Sequence, residues 1–116
     1  MKIVKKPWGH EEIWAKTEKY VAKFLHINPE HRLSLQYHEK KEETIYVLSG
    51  RLKLTYSETR DGEIKQCIVE EGEAYHVYPL SVHRFEAFKG DVTLLEVSTD
   101  YPEDVVRISD DYRRIG

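Results

Sequence analysis

Cysteine is nearly missing from this chain: Cys67 stands alone among 116 residues. An internal disulfide is therefore impossible, and a reducing, cytoplasmic setting is the expectation. No apolar run approaches membrane-spanning length, so no membrane association is expected. The basic pair Lys5-Lys6 immediately before Pro7 is not followed by the apolar core of a signal peptide. Excess positive charge is missing too. The net charge is -3 with both signs interspersed, which argues against nucleic acid, whose phosphates call for a basic surface. No helix-length amphipathic pattern, repeat or low-complexity segment is present, and no second domain.

What is there is a succession of short strands. The 40% apolar and 34% charged residues are those of an ordinary globular chain, long enough for one core, and residues 1–116 read as a single domain. Lys6-Pro7-Trp8-Gly9 reads as a turn, and residues 11–15 as a short strand. Residues 20–27 form a better strand, closed by Asn28-Pro29, where proline forbids continued pairing. Residues 51–57 alternate well and turn through Arg60-Asp61-Gly62, since Asp-Gly favours a tight hairpin. Residues 64–70, 74–78, 83–88 and 92–98 read as further strands between turn signals. The tail from Tyr101 changes character, and one helical turn is expected there. Nine or so strands with regular turn signals predict an all-β sandwich or barrel.

The stretch 32–50, RLSLQYHEKKEETIYVLSG, organises the rest. It opens as an alternating strand, with Leu33, Leu35 and Tyr37 on one face and Arg32, Ser34, Gln36 and His38 on the other. The charged residues 39–42 bend the chain, and read as a solvated bend. Glu43 then starts the next strand, which stops at Ser49-Gly50. Gln36, His38 and Glu43 can thus be brought to one point inside a sheet. His83, which opens a strand just after a proline-containing turn, can face inward to complete the set. Imidazole and oxygen donors suit a divalent metal ion, with zinc the first expectation and iron, manganese or nickel alternatives; without thiolates a purely structural zinc site is not expected. His10, His26, His31 and His76 have no partners at ligand spacing and read as structural or exposed. Trp8 and Trp14 read as core or subunit-contact residues.

The spacing Gln36-x-His38, four residues, Glu43, six residues, Gly50 resembles the first cupin motif, and residues 79–83 resemble a shortened second one. Gln36 in place of a first histidine, RLSLQYH, PWG at 7–9 and the tail EDVVRISDDYRR together resemble the type II mannose-6-phosphate isomerase cupin, often the C-terminal part of a bifunctional enzyme with a mannose-1-phosphate guanylyltransferase. The resemblance implies a single-domain cupin, a double-stranded β-helix or jelly-roll barrel, with a short irregular or helical C-terminal tail. It also implies a metal-dependent aldose–ketose isomerase acting on a sugar phosphate, with mannose 6-phosphate to fructose 6-phosphate the named reaction, and a homodimer. No Gly-rich phosphate loop of a guanylyltransferase is present. The second motif is one residue short and lacks its glycine, Glu39-Lys40-Lys41-Glu42 replaces a His-rich run, and Tyr112-Arg113-Arg114 replaces Tyr-Gly-Arg.

Within that resemblance Arg32 is the candidate for the sugar's phosphate, since it matches the family's RLSLQ stretch and shares a face with Gln36 and His38. Arg84 matches a common His-Arg pair and is a second catalytic candidate, although strict alternation points it outward. Glu96, a carboxylate in an otherwise apolar strand, is the candidate proton shuttle. Arg107, Asp110 and Tyr112 read as residues that fix the tail to the barrel. Cupins host several functions, so a non-catalytic sugar-binding or regulatory cupin, and a metal dioxygenase, stand as alternatives.

Overall fold

Alternating apolar and polar residues between turn signals fold into strands and nothing else: among residues 1–59 and 61–114, which this computed structural model describes, there is no helix. The strands are β1 (Lys2–Lys6), β2 (Gly9–Lys16), β3 (Tyr20–Ile27), β4 (Leu35–Tyr37), β5 (Glu43–Ser49), β6 (Leu52–Ser57), β7 (Lys65–Val69), β8 (Ala74–Val77), β9 (Val82–Ala87), β10 (Val92–Thr99) and β11 (Val106–Ser109). They form a six-stranded sheet in the order β1-β2-β3-β10-β5-β8 and a five-stranded sheet in the order β11-β4-β9-β6-β7.

Period two decides what each strand buries. In β5, Glu43, Ile45 and Val47 point inward; in β10, Val92, Leu94, Glu96 and Ser98 do. The core between the sheets joins Leu25, Ile27, Ile45, Val47 and Leu94 from one side to Leu52, Leu54 and Phe85 from the other, with Trp8 sealed against them. Each such aliphatic side chain contributes about 1.5–3 kcal/mol on leaving water. This apolar half fills one end of the sandwich. Towards the other end the inward positions turn polar.

The connection from β5 to β6 requires Gly50. Its φ is +82°, and a Cβ there would stand 2.3 Å from the Asp91 carbonyl oxygen, so the turn fits no other residue without rearrangement.

The turn expected at 6–9 is present, and it closes a hairpin with a strand the sequence had not shown, β1 at residues 2–6, in which Lys6 pairs with Gly9. Two expectations need correction. Among its described residues the tail holds no helical turn; residues 106–109 extend along β4 as β11, since a sheet edge offers unmet backbone donors and acceptors that a single isolated helical turn does not. The stretch 32–38 is not one continuous strand. Only Leu35–Tyr37 join a ladder, and Arg32 makes an isolated bridge to Glu86. The β6–β7 turn keeps Asp61-Gly62 in its loop, and Arg60 lies outside the described residues.

Candidate metal centre

Four elements deliver the polar end of the interior. His38 directly follows β4, Glu43 opens β5, His83 is the second residue of β9, and Glu96 lies within β10. His38, Glu43 and His83 are all buried, at 4%, 3% and 2% exposure. Gln36 lies directly across from His83 in the β4–β9 pairing, which places both on one face of the sheet, and Gln36 lines the same cavity.

The imidazoles are held in one orientation. His38 Nδ1 bonds the backbone oxygen of Asp104, and His83 Nδ1 bonds that of Ser81 at 3.0 Å. A carbonyl can only accept, so Nδ1 carries the hydrogen in both rings and each Nε2 presents its lone pair inward. Both Nε2 atoms meet the same carboxylate oxygen, Glu43 Oε1, at 3.4 Å from His38 and 3.2 Å from His83. A neutral imidazole lone pair facing a carboxylate oxygen is repulsive unless a proton or a cation lies between them. Ligand atoms around an ion at the usual 2.0–2.2 Å stand about 3.0–3.4 Å apart, so these separations fit a shared metal. Backbone carbonyls on the far nitrogens are the supports that metal-bound histidines ordinarily have.

Around this centre lies a buried charged cluster. Lys41 Nζ is 3.7 Å from both Glu43 and Glu96; Lys23 Nζ is 3.1 Å from Glu11 and 3.6 Å from Glu96. Burial alone would raise the Glu43 carboxyl, but hydrogen bonds from His38 and His83, when a proton sits on Nε2, and the Lys41 ammonium hold it well below the usual carboxylate range. Glu96 goes the other way: burial, then the charge of Glu43, push it up to about 7, against the opposing pull of Lys41 and Lys23. Burial works against the Lys41 charge, yet the carboxylates of Glu96, Glu43 and Glu11 leave its pKa raised.

The centre opens into a cavity of about 270 Å³ walled by β2, β3, β4 and the tail. Buried polar atoms in proteins nearly always have a partner. Among the described residues three buried side-chain atoms have no hydrogen-bond partner, namely Ser34 Oγ, Arg107 Nε and Glu96 Oε2, the last held only by the longer ion pairs to Lys23 and Lys41. All three residues line this cavity.

Two sequence candidates lie elsewhere. The Arg32 guanidinium is bound to Asp111 at 2.7 and 3.0 Å, with Glu86 at 3.8 Å, and Arg32 is not among the residues lining the cavity. The ladder breaks between Arg32 and Leu35, so period two no longer ties it to the face of Gln36. Arg84 points away from His83, as alternation requires, and donates to the carbonyls of Leu33 and Ser109. It fastens the ends of β4 and β11 and does not reach the cavity.

The sequence reading gave no site role to Lys41, Lys23 or Glu11; it placed Ser34 on the face of Gln36 and His38 without a role, and read Arg107, which lines the cavity, as fixing the tail. Residues 39–42 were expected to be a solvated bend, but Lys41 is 8% exposed because Glu43 and Glu96 draw it inside. One signal was legible: Lys23 falls in phase with the inward Val21, Leu25 and Ile27, a charge where an apolar residue belongs. His10 and His26, read as lacking partners, pair across β2 and β3 and stack at 4.4 Å beside Glu12. They stand outside the cavity.

Two antiparallel sheets closed over inward-facing histidines and a carboxylate define a cupin. The sequence profile described as "Mannose-6-phosphate isomerase C-terminal" matches residues 1–110, and the chain belongs to that family. It is 33% identical, over 97% of its length, to mannose-1-phosphate guanylyltransferase of Escherichia coli (strain K12). Against ManC of Salmonella typhimurium, also a mannose-1-phosphate guanylyltransferase, the identity is 32% over 97% of this chain. The chain spans only 23% of the length of each of these relatives. Among solved structures, the capsular polysaccharide assembling protein CapF from Staphylococcus aureus matches 93% of this chain and 34% of its own, with a TM-score of 0.81 at 17% identity. Oxalate decarboxylase from Bacillus subtilis matches 92% of this chain and 30% of its own, with a TM-score of 0.80 at 16% identity. At such identities the likeness is one of fold.

Proposed function

We propose that this cupin is a metal-dependent aldose–ketose isomerase of a hexose phosphate, interconverting mannose 6-phosphate and fructose 6-phosphate. One observation carries the reading. Three buried polar atoms without a hydrogen-bond partner, a hydroxyl, a carboxylate oxygen and a guanidinium nitrogen, belong to residues that line the cavity beside His38, Glu43 and His83, and a polyhydroxylated anion would satisfy all three. Membership of the mannose-6-phosphate isomerase C-terminal family supports the choice of sugar.

His38 Nε2, His83 Nε2 and Glu43 Oε1, with Gln36 beside them, would hold a divalent ion; zinc comes first, with manganese, iron and nickel compatible with the same donors. Manganese centres are described for the fold relative oxalate decarboxylase. When bound, such an ion acts as a Lewis acid that stabilises negative charge developing on the sugar oxygens.

The remaining chemistry belongs to side chains. Glu96 Oε2 takes the proton from C2 of the open-chain aldose and returns it to C1, while a hydroxyl proton passes from O2 to O1; the products are isomers with no net proton change. A carboxyl poised near 7 can serve as base and then as acid at neutral pH. Lys23 and Lys41 flank Glu96 and steady its charged form, and Ser34 Oγ binds a sugar hydroxyl. Closure by the tail keeps water from the intermediate.

A second reading, a sugar-binding cupin without turnover, is favoured by Lys41. Its ammonium stands 3.7 Å from Glu43 Oε2, where it opposes a cation on the same carboxylate. A coupled assay of mannose 6-phosphate to fructose 6-phosphate separates the two, run on protein of measured metal content with and without chelator. Turnover that dies on chelation and returns with one metal supports the isomerase. Protein that binds the sugar phosphate and never turns it over refutes it in favour of the second reading.

A further inference from the structure

The cavity needs a cation for an anionic group on its ligand, and the side chain expected to supply it, Arg32, is already committed to Asp111. We infer that Arg107 is the residue that binds the phosphate of the substrate, at the tail end of the cavity; this rests on the sugar-phosphate reading of the same site.

The argument is by position and by elimination. Arg107 pairs with Gln36 across β11 and β4, and Gln36 pairs with His83 across β4 and β9. Directly paired residues project from the same face of a sheet, so Arg107, Gln36 and His83 form one inward row. With neighbouring strands 4.7–4.9 Å apart, the Arg107 backbone stands about 10 Å from that of His83.

The other cations in the cavity wall are mostly spent. Lys16 is paired with Asp100, Arg114 with Asp110, Lys23 with Glu11 and Glu96, and Lys41 with Glu43 and Glu96. Lys6 and Arg107 remain without an ion pair among the described residues. Arg107 differs from Lys6 in that its Nε is buried with no hydrogen-bond partner from the protein, a donor left for whatever fills the cavity. A planar guanidinium offers two parallel N–H donors to a phosphate. The nearby carboxylates do not compete: Asp104 is occupied by three backbone N–H groups, and Glu103 is exposed to solvent.

The test is binding of 1,5-anhydromannitol 6-phosphate, which lacks the carbonyl and cannot isomerise, by calorimetry to the metal-loaded full chain. Unphosphorylated 1,5-anhydromannitol and inorganic phosphate are the companion probes. Arg107→Met is expected to weaken the phosphorylated ligand and inorganic phosphate by about 10- to 100-fold, the range for a charge-assisted contact, and to leave the unphosphorylated ligand unchanged. Arg107→Lys, which keeps the charge and loses the fork, should fall between; it also stands in if the methionine variant fails to fold. Wild-type affinity for the phosphorylated ligand in both variants overturns the inference and leaves the isomerase intact. Equal losses for both sugars overturn it as well, since they reveal a merely structural arginine. Phosphate binding that depends on Arg107 in a protein without turnover upholds the subsite and removes the isomerase reading.

Discussion

Glu43 and Glu96 are diagonal neighbours on adjoining strands, Glu96 pairing with Ile45 and Glu43 with Ser98; both are buried, and their surroundings drive their pKa values apart. Imidazoles and an ammonium keep Glu43 ionised; burial and the charge of Glu43 raise Glu96 to about 7. A pair of carboxyls separated in this way divides the work, one holding charge and the other moving a proton. Glu43→Gln should therefore strip the metal and turnover together. Glu96→Gln should keep the metal and lose turnover by about 10²- to 10⁴-fold, the usual share of acid–base catalysis. Elemental analysis and the coupled assay on the same preparations check both, and a Glu96→Gln protein with wild-type turnover would sink the proton role. At this scale the sequence was readable where function is local. Gln36, His38 and Glu43 lie within eight positions, and spacing alone brings them near each other. Arg107 was not readable, because its place opposite Gln36 depends on a pairing between segments about 70 residues apart.

The tail is the element whose meaning changed most on folding. Its composition hinted at a helical turn, yet as β11 and its approach it becomes a wall of the cavity. Asp104 shows how. Its backbone oxygen fixes the His38 ring, and its carboxylate accepts N–H bonds from Glu39, Lys40 and Lys41 at 3.0, 2.7 and 2.9 Å. One residue thus orients His38 and closes the loop between His38 and Glu43. Partial burial pushes the Asp104 carboxyl up, but the three N–H donors outweigh it and leave the pKa below the ordinary 3.8. A carboxyl depressed by folding contributes stability above its unfolded pKa, and that contribution is lost as pH falls through the folded value. Wild-type protein should accordingly lose stability below about pH 4. Asp104→Ala should be about 1–3 kcal/mol less stable at neutral pH, with a flatter acid limb. Urea unfolding of both proteins from pH 7 to 2.5 decides this, and parallel pH profiles would remove Asp104 as a contributor. Loosening of His38 should also weaken metal binding by about 10- to 100-fold.

On the scale of the whole molecule, turns and alternation made the all-β class legible, whereas strand order was not, because β10 sits between β3 and β5 and β9 between β4 and β6. That interleaving gives the candidate metal centre a structural consequence. Glu43 belongs to the six-stranded sheet, while His83 lies in the five-stranded sheet and His38 follows its strand β4. An ion shared by these three side chains therefore ties one sheet to the other at the polar end, where no apolar core does so. The unfolded chain cannot assemble that set, so metal binding adds stability as RT ln(1 + [M]/Kd), about 2.7 kcal/mol when free metal is 100 times Kd. For a chain of this size each kcal/mol moves Tm by about 4–8 °C. Chelation should lower Tm by about 10 °C or more, and metal should restore it in proportion to the logarithm of its concentration. A His38→Ala, His83→Ala double variant should melt at one temperature whether metal is present or chelated. The comparison needs only thermal scans and no turnover, so it examines the centre independently of the chemistry. If the wild-type Tm does not respond to metal, the two histidines and Glu43 hold no ion, and the convergence of their atoms is a property of the apo fold alone.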